Sequence, residues 1–460
     1  MTAENIDLGA LRLQIEGDAF ARGDDGYGEA VSGFNTVAPI SPDAVVVPLT
    51  ERDVAAAVQY ARELGLRLSV MCTGHGSYAP ITGGLLIRTN RLLSVDVDPT
   101  TAVARLGAGV VWRDALPVFA EHGLTAITGS SPTVGAIGLA LGGGMGPLSR
   151  TYGYTADWVT AFRMVRADGD VVVADATENP ELFWALRGGK GGLGIVTEMS
   201  IQLLDLPTVY GGGLFWVGDD IEPVYRAWAA WAERRPDSVN SSVNLLRLPD
   251  VPGVHEALRG RAALHLRYVY SELGCNDEQL RRRGEAELAS IRAVAAPVLD
   301  TVEILPSAHI GSVHADPDGP LPIWERGMLL DNIDERFVDA LLGEVGGGVD
   351  APFIAVEVRC LGGRIRSGLG TSIGGRSAPY SLLLIGTPIV ELFDLVIPDA
   401  ADSLVDALGE WVLPSNTYNW AGHPATPEAF AACWDEATHA RLSQLRRAHD
   451  PTRLFAFGPA

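Results

Sequence analysis

Residues 44–76 read AVVVPLTERDVAAAVQYARELGLRLSVMCTGHG, and the order of signals along them decides the first half of the fold. The apolar run before Pro48 is strand-like. Thr50, with Asp53 three residues on, has the spacing of an N-cap and its capping box. Val54, Val58 and Ala61 then recur at helical spacing. Gly65 stops the helix, and LRLSVM begins a second strand. The stretch therefore predicts a β-α-β unit whose exit loop, MCTGHGSYAP (71–80), holds His75 between Gly74 and Gly76. A histidine between two glycines is uncrowded, which suits an ordinary turn or a side chain that must reach something.

Around this unit the chain has 460 residues, too many for one core and enough for two or three domains at about 150 residues each. Its 47% hydrophobic and 20% charged residues are those of a soluble globular protein. The net charge of −22, with no basic run, argues against nucleic acid or an anionic membrane as partner. Cys72, Cys275, Cys360 and Cys433 form no CxxC pair, so neither a structural metal site nor a disulfide framework is expected. The opening MTAENIDLGALRLQIEGDAF lacks the basic and apolar regions of a signal peptide, and no apolar run is long enough for a membrane span. A cytoplasmic enzyme is expected.

Beyond His75 come short strand candidates, a helix WRDALPVFAEHG interrupted by Pro117, and a hairpin VTAFRMVRADGDVVVAD turning at Asp168-Gly169. After 207 the texture changes. SSVNLLRL, AALHLRYVYS, FIAVEVRCLGG and PYSLLLIGTPI read as strands, between helices such as NDEQLRRRGEAELASIRAVA and DERFVDALLGEV. This pattern predicts an α+β domain, an antiparallel sheet covered by helices. The expected boundaries are 1–206 (core 38–206), 207–415, and a segment 416–460 that returns to the first domain.

Glycines concentrate between 74 and 213. Three in a row, Gly142 to Gly144, expose backbone N–H groups that can line a pyrophosphate, although glycines also serve close packing. GAGVVW (107–112) lacks the third glycine and the acidic residue of a dinucleotide-binding loop. No GxxxxGK[ST], GxSxG or HExxH occurs.

Taken in order, TGHGSYAP, TGSSPTVGAIGLALGGGMGPLSRTYGYTADW, ENPELFWALRGGKGGLGIVTEMSI and YNW…RLSQLRRAHDPTRLF resemble the berberine-bridge-enzyme-like FAD-linked oxidases of the vanillyl-alcohol-oxidase superfamily, with a PCMH-type FAD-binding domain. The resemblance covers nearly the whole chain and is close over about 38–206. It implies a two-part FAD-binding domain and covalent FAD, joined at its 8α-methyl to the histidine at position 75. Thr73, Gly74, Gly76 and Ser77 flank that histidine, but Met71 and Cys72 replace the usual arginine-containing approach. Many relatives add a second bond through a cysteine before PTVG. Here Ser131 stands there, whose hydroxyl cannot act as a thiolate, so attachment through His75 alone is implied. Thr133, Gly135, Gly138, Gly142, Gly143 and Gly144 match the pyrophosphate loop, Ile195 and Val196 an adenine-side contact, and Asn419 a residue beside the flavin ring. Val134 matches the position that governs dioxygen access, and valine there resembles the oxygen-using members.

On the substrate side, strand alternation puts Ala355, Glu357 and Arg359 on one face of FIAVEVRCL and His265 with Arg267 on one face of AALHLRYVY. In the family that face covers the flavin, which makes His265, Arg267 and Arg359 candidate substrate contacts. Relatives often use a tyrosine two residues before the asparagine as base. Thr417 is there instead, so Glu357 is the expected base, kept ionised by Arg359, with Tyr380 and Tyr418 in reserve. The implied reaction is hydride transfer from a secondary-metabolite alcohol to flavin, with dioxygen reduced to peroxide. A carbohydrate oxidase, a dehydrogenase of the same fold, and a ligand-binding flavoprotein without turnover are the alternatives.

Overall fold

The structure, a computed structural model, describes residues 6–458 except 369, 423 and 425. The helix expected after Pro48 spans Glu51–Leu64. The Thr50 hydroxyl accepts from the Asp53 amide, the Asp53 carboxylate accepts from the Thr50 amide, and Gly65 closes the helix at φ 65°. Its flanking strands, Ala44–Val47 and Leu68–Met71, both run parallel to Leu85–Arg88, which lies between them. A five-stranded sheet follows, containing the expected hairpin as Val159–Val165 against Val171–Asp175. Pro117 lies inside the helix Trp112–Ala120.

The second sheet is larger and antiparallel. SSVNLLRL, AALHLRYVYS, FIAVEVRCLGG and PYSLLLIGTPI fall in Val239–Arg247, Ala262–Tyr270, Phe353–Cys360 and Tyr380–Gly386. Two further members, Thr208–Val217 and Glu325–Leu330, complete its main path beside a short strand at Leu299–Asp300. Thr208–Val217 carries Gly211, Gly212 and Gly213, a composition that weakens a strand by propensity. Tertiary packing requires it: a methyl group on Gly212 would overlap the Thr301 carbonyl, and one on Gly213 the His265 ring.

Two main apolar cores result. One lies under the first half and takes in Phe430, Trp434, Leu442 and Phe455 from the C-terminal segment. The other joins the large sheet to the helices Ile221–Ala232, Asp277–Arg292, Glu335–Val345 and Val396–Ala407. Arg150 links the halves by donating to the carbonyls of Arg235, Pro236, Val239 and Leu361.

Candidate active site

Gly74 has φ +80°, and a Cβ there would come within 2.8 Å of the Gly33 Cα. Only glycine lets strip and loop meet this closely. The strip that follows Gly33 is bonded on both sides. The Phe34 amide donates to the Thr73 carbonyl (2.9 Å) and its carbonyl accepts from the Leu321 amide (2.9 Å). The Phe34 ring stacks on the His75 imidazole, centroids 3.6 Å apart and planes 16° from parallel. On the other side His75 Nε2 lies 2.8 Å from the Thr133 hydroxyl, itself 2.9 Å from the Ser131 hydroxyl. Burial pushes the imidazole down to about 4, partly opposed by the Thr133 backbone, so the ring is neutral at pH 7. Its orientation is fixed by a ring, a hydroxyl and a loop.

His75 lines a cavity of about 690 Å³ between the two halves. Thr73, Gly74, Gly76, Ser77, Ser131, Val134, Gly135, Gly138, Gly142, Gly144, Tyr418 and Asn419 share its wall. Thr133 reaches the site through its bond to His75. Gly76 and Gly138 leave the space where a Cβ would project open. The backbone amides of His75 and Gly76 have no acceptor among the described residues, and the buried Tyr154 hydroxyl on the same wall has none either. A long cavity with bare glycine backbone, free N–H donors and a neutral imidazole is what an FAD molecule and its pyrophosphate require. These residues fit FAD.

Asn419 is held beside this wall by donating to the Leu139 carbonyl (2.7 Å) and accepting from Lys190 Nζ (2.9 Å). Lys190 also donates to the Gly138 carbonyl (2.6 Å), and burial pushes its ammonium down to about 8. The consecutive glycines thus have mixed duties. A side chain on Gly142 would overlap the Asn419 amide, and one on Gly144 the Thr155 side chain, while Gly143 packs on Ile373. Cys72 also lines the cavity, but burial pushes its thiol up and keeps it protonated.

The substrate-side residues divide. Glu357 and Arg359 share the sheet face expected, but Glu357 is only 4% exposed and is clamped by Arg267 (3.1 Å) as well as Arg359 (3.0 Å). Burial alone would raise its pKa. Arg359 and Arg267 outweigh that and hold the carboxyl at about 2. A carboxylate that weakly basic, and absent from the wall of the large cavity, is a poor proton acceptor. The expectation that Glu357 is the base is therefore corrected: it anchors two guanidinium groups. Arg359 passes onward to the cavity wall, donating to Ser130 (3.1 Å) and lying 4.8 Å over the Trp420 ring. Arg267 and Arg359 also border a water-sized cavity of about 20 Å³ with His314.

Three other expectations change. Tyr380 pairs in register with Cys360, which puts it on the helix-covered face with Val356 and Val358, away from the cavity. His265 shares the face of Glu357 but stacks on Phe215 at 4.0 Å and reaches neither cavity. Ile195 and Val196 are buried in the core of the first half. Tyr418 does line the cavity, yet it packs against Trp434, Phe457 and Phe430, and burial pushes its hydroxyl up to about 12.

Sequence reasoning missed both carboxylates of the cavity wall, Asp316 and Glu325. Asp316 lies 3.7 Å from Arg267, and burial raises its pKa despite that cation. Burial pushes Glu325 up to about 7, with the Tyr78 hydroxyl opposing the rise. Neither belongs to a recognisable motif; Tyr78, within the histidine loop, was the one visible signal.

Comparison with known proteins agrees with this geometry. An FAD binding domain family matches residues 42–175. The (R)-6-hydroxynicotine oxidase of Paenarthrobacter nicotinovorans is 27% identical over 458 residues, covering 97% of this chain and 96% of that protein. The crystal structure of 6-hydroxy-D-nicotine oxidase from Arthrobacter nicotinovorans superposes with a TM-score of 0.81 at 25% identity, covering 96% and 97% of the two chains. A xylooligosaccharide oxidase of Thermothelomyces thermophilus is 35% identical over 211 residues, 44% of this chain and 42% of that one. Fold, cavity and relatives converge: residues 42–175 match an FAD binding domain family, and over nearly its whole length the chain is similar to FAD-linked oxidases with a PCMH-type FAD-binding fold.

Proposed function

We propose that this oxidoreductase carries FAD covalently on His75 alone and oxidises a secondary metabolite at a carbon bearing a hydroxyl or amino group, with dioxygen as electron acceptor. The observation that carries the reading is the placement of His75: neutral, stacked on Phe34, held by Thr133, and facing the large cavity. When bound there, FAD supplies acceptance of a hydride from the substrate and return of the electrons to dioxygen, with peroxide released.

The chain's own residues do the rest. The loop 73–77 and Gly138 offer main-chain surface for the pyrophosphate, and Asn419, steadied by Lys190, stands beside the ring system. Arg359 is kept in place by Glu357 and presents its charge through Ser130 to the cavity. Its Nη1, with Arg267 Nε and His314 Nδ1, has no partner among the described residues, and all three belong to residues bordering the water-sized cavity. The proton leaving the substrate hydroxyl or ammonium goes to Asp316, the cavity-wall carboxylate on this side, whose raised pKa makes it a better base than Glu357. Val134 leaves room for dioxygen.

The full-length resemblance to a nicotine oxidase favours an amine or a heterocyclic alcohol over a sugar. A xylooligosaccharide oxidase matches less than half of the chain, so a carbohydrate is the second choice. The test is anaerobic bleaching of the flavin by a panel of amines, alcohols and oligosaccharides, followed by peroxide measurement in air. Bleaching by none of them rejects an oxidase of these classes; bleaching without peroxide points to a dehydrogenase.

A further inference from the structure

Covalent attachment needs a proton acceptor as well as a nucleophile. A bond from an imidazole nitrogen to the 8α carbon breaks one C–H bond of that methyl group and the N–H bond of the ring. Two protons leave, and the C–H electron pair passes into the isoalloxazine, which is reduced. Dioxygen then takes that pair with two protons and leaves as hydrogen peroxide, and the ring is oxidised again. Carbon acids release protons slowly without a base nearby.

We propose that Glu325, on the cavity wall with Tyr78, is the base that takes the 8α-methyl proton when His75 is joined to FAD. The proposal rests on the attachment at His75 argued above, and the fold places the pair for it. The strip 34–36 is bonded to the histidine loop on one side and to 321–323 on the other. Phe34 binds Thr73 and Leu321, the Asn35 amide donates to the Gly74 carbonyl, and the Asn35 side chain accepts from the Ile323 amide (3.1 Å). Glu325 follows Ile323 by two residues, and Tyr78 follows His75 by three. Both line the cavity that His75 faces. They therefore meet at the histidine end of the cavity, whereas Asp316 stands with Arg267 and Arg359 at the sheet.

Tyr418, from the C-terminal segment, faces Tyr78, and Lys190 Nζ lies 5.8 Å from the Tyr418 ring. Lys190, on the same wall, is committed to Gly138 and Asn419. A carboxyl in this setting titrates near neutrality, with burial as the cause and the Tyr78 hydroxyl favouring the charged form. It is thus charged enough to be present as base and basic enough to act.

The experiment uses full-length protein made under riboflavin limitation, then supplied with FAD in air. Samples are quenched in acid over time, and covalent flavin is read by fluorescence of the denatured chain. In the wild type the attachment rate should rise with pH through about 7 and level off. Glu325→Gln should slow attachment by about 10²-fold while still binding FAD, and Glu325→Asp should restore part of the rate. Tyr78→Phe removes a hydroxyl that favours the carboxylate, so its midpoint should move to higher pH. Attachment in Glu325→Gln at the wild-type rate overturns the proposal. So does a wild-type rate that is flat across neutrality, or an unmoved midpoint in Tyr78→Phe, and these two readings stand even if the glutamine variant fails to fold. A wild type that releases all its flavin into acid overturns the attachment itself, and this proposal with it; a covalent wild type with an unaffected variant overturns only the base.

Discussion

The Thr133 hydroxyl lies 2.8 Å from His75 Nε2, which leaves Nδ1 as the ring nitrogen free to form a bond. The tautomer in which Nε2–H donates to Thr133, and Thr133 in turn to Ser131, puts the lone pair on Nδ1. The flavin should therefore remain with acid-precipitated protein and be linked through Nδ1, as NMR of the flavin peptide will tell. His75→Ala should release the flavin into the supernatant. Thr133→Val should slow attachment, and Ser131→Ala should leave it intact, because Thr133 remains. A linkage through Nε2 would reject this role for Thr133.

Glu357 should prove structural. Its carboxyl is held at about 2 in the folded chain against an ordinary value of 4.5, so its contribution is fully present above pH 4.5 and lost as pH falls toward 2. Glu357→Gln leaves Arg267 and Arg359 buried without their counter-charge, at a cost of about 3–5 kcal/mol. Denaturant unfolding near neutral pH measures it. An unchanged midpoint would mean that the two guanidinium groups find other partners.

Asp316→Asn should slow anaerobic flavin reduction by about 10²–10⁴-fold with its flavin still covalent. Attachment and turnover thus separate: the asparagine variant slows reduction, and a variant at Glu325 slows attachment. Tyr380→Phe is the control, since Tyr380 lies on the helix-covered face, and it should reduce at the wild-type rate.

Val134 lines the cavity, and a larger side chain there narrows the space for dioxygen. Val134→Leu should slow reoxidation on the order of tenfold, about 1.4 kcal/mol on that barrier, without changing reduction. Stopped-flow mixing of reduced protein with aerated buffer separates the two steps. Equal reoxidation rates would remove Val134 from any such role.

Much of the first half was legible because its signals are local. The Thr50–Asp53 box, the helical spacing behind it and the hairpin at Asp168-Gly169 each sit within a few residues. The glycine loops and His75 were legible through their order along the chain. The substrate side was not. Strand alternation correctly put Glu357 and Arg359 on one face, but it cannot tell that Arg267 arrives from another strand and makes the carboxylate a weak base. Tyr380 went astray because its face depends on the register with Cys360, which no local pattern fixes. Asp316 and Glu325 sit outside any motif, and their proximity to the cavity is created by contacts nearly 290 residues apart in sequence, such as that of Asn35 with Ile323.

The bare α-carbon of Gly74 carries a consequence for how defects in this protein would present. It lets the strip after Gly33 lie against the histidine loop, and that strip in turn holds the segment leading to Glu325. A methyl group added at position 74 touches neither His75 nor Glu325, yet it would wedge strip and loop apart and pull nucleophile and proton acceptor out of step. Such a lesion would present as a colourless or loosely yellow protein with sound secondary structure: a failure of maturation, traceable to one hydrogen atom's worth of room.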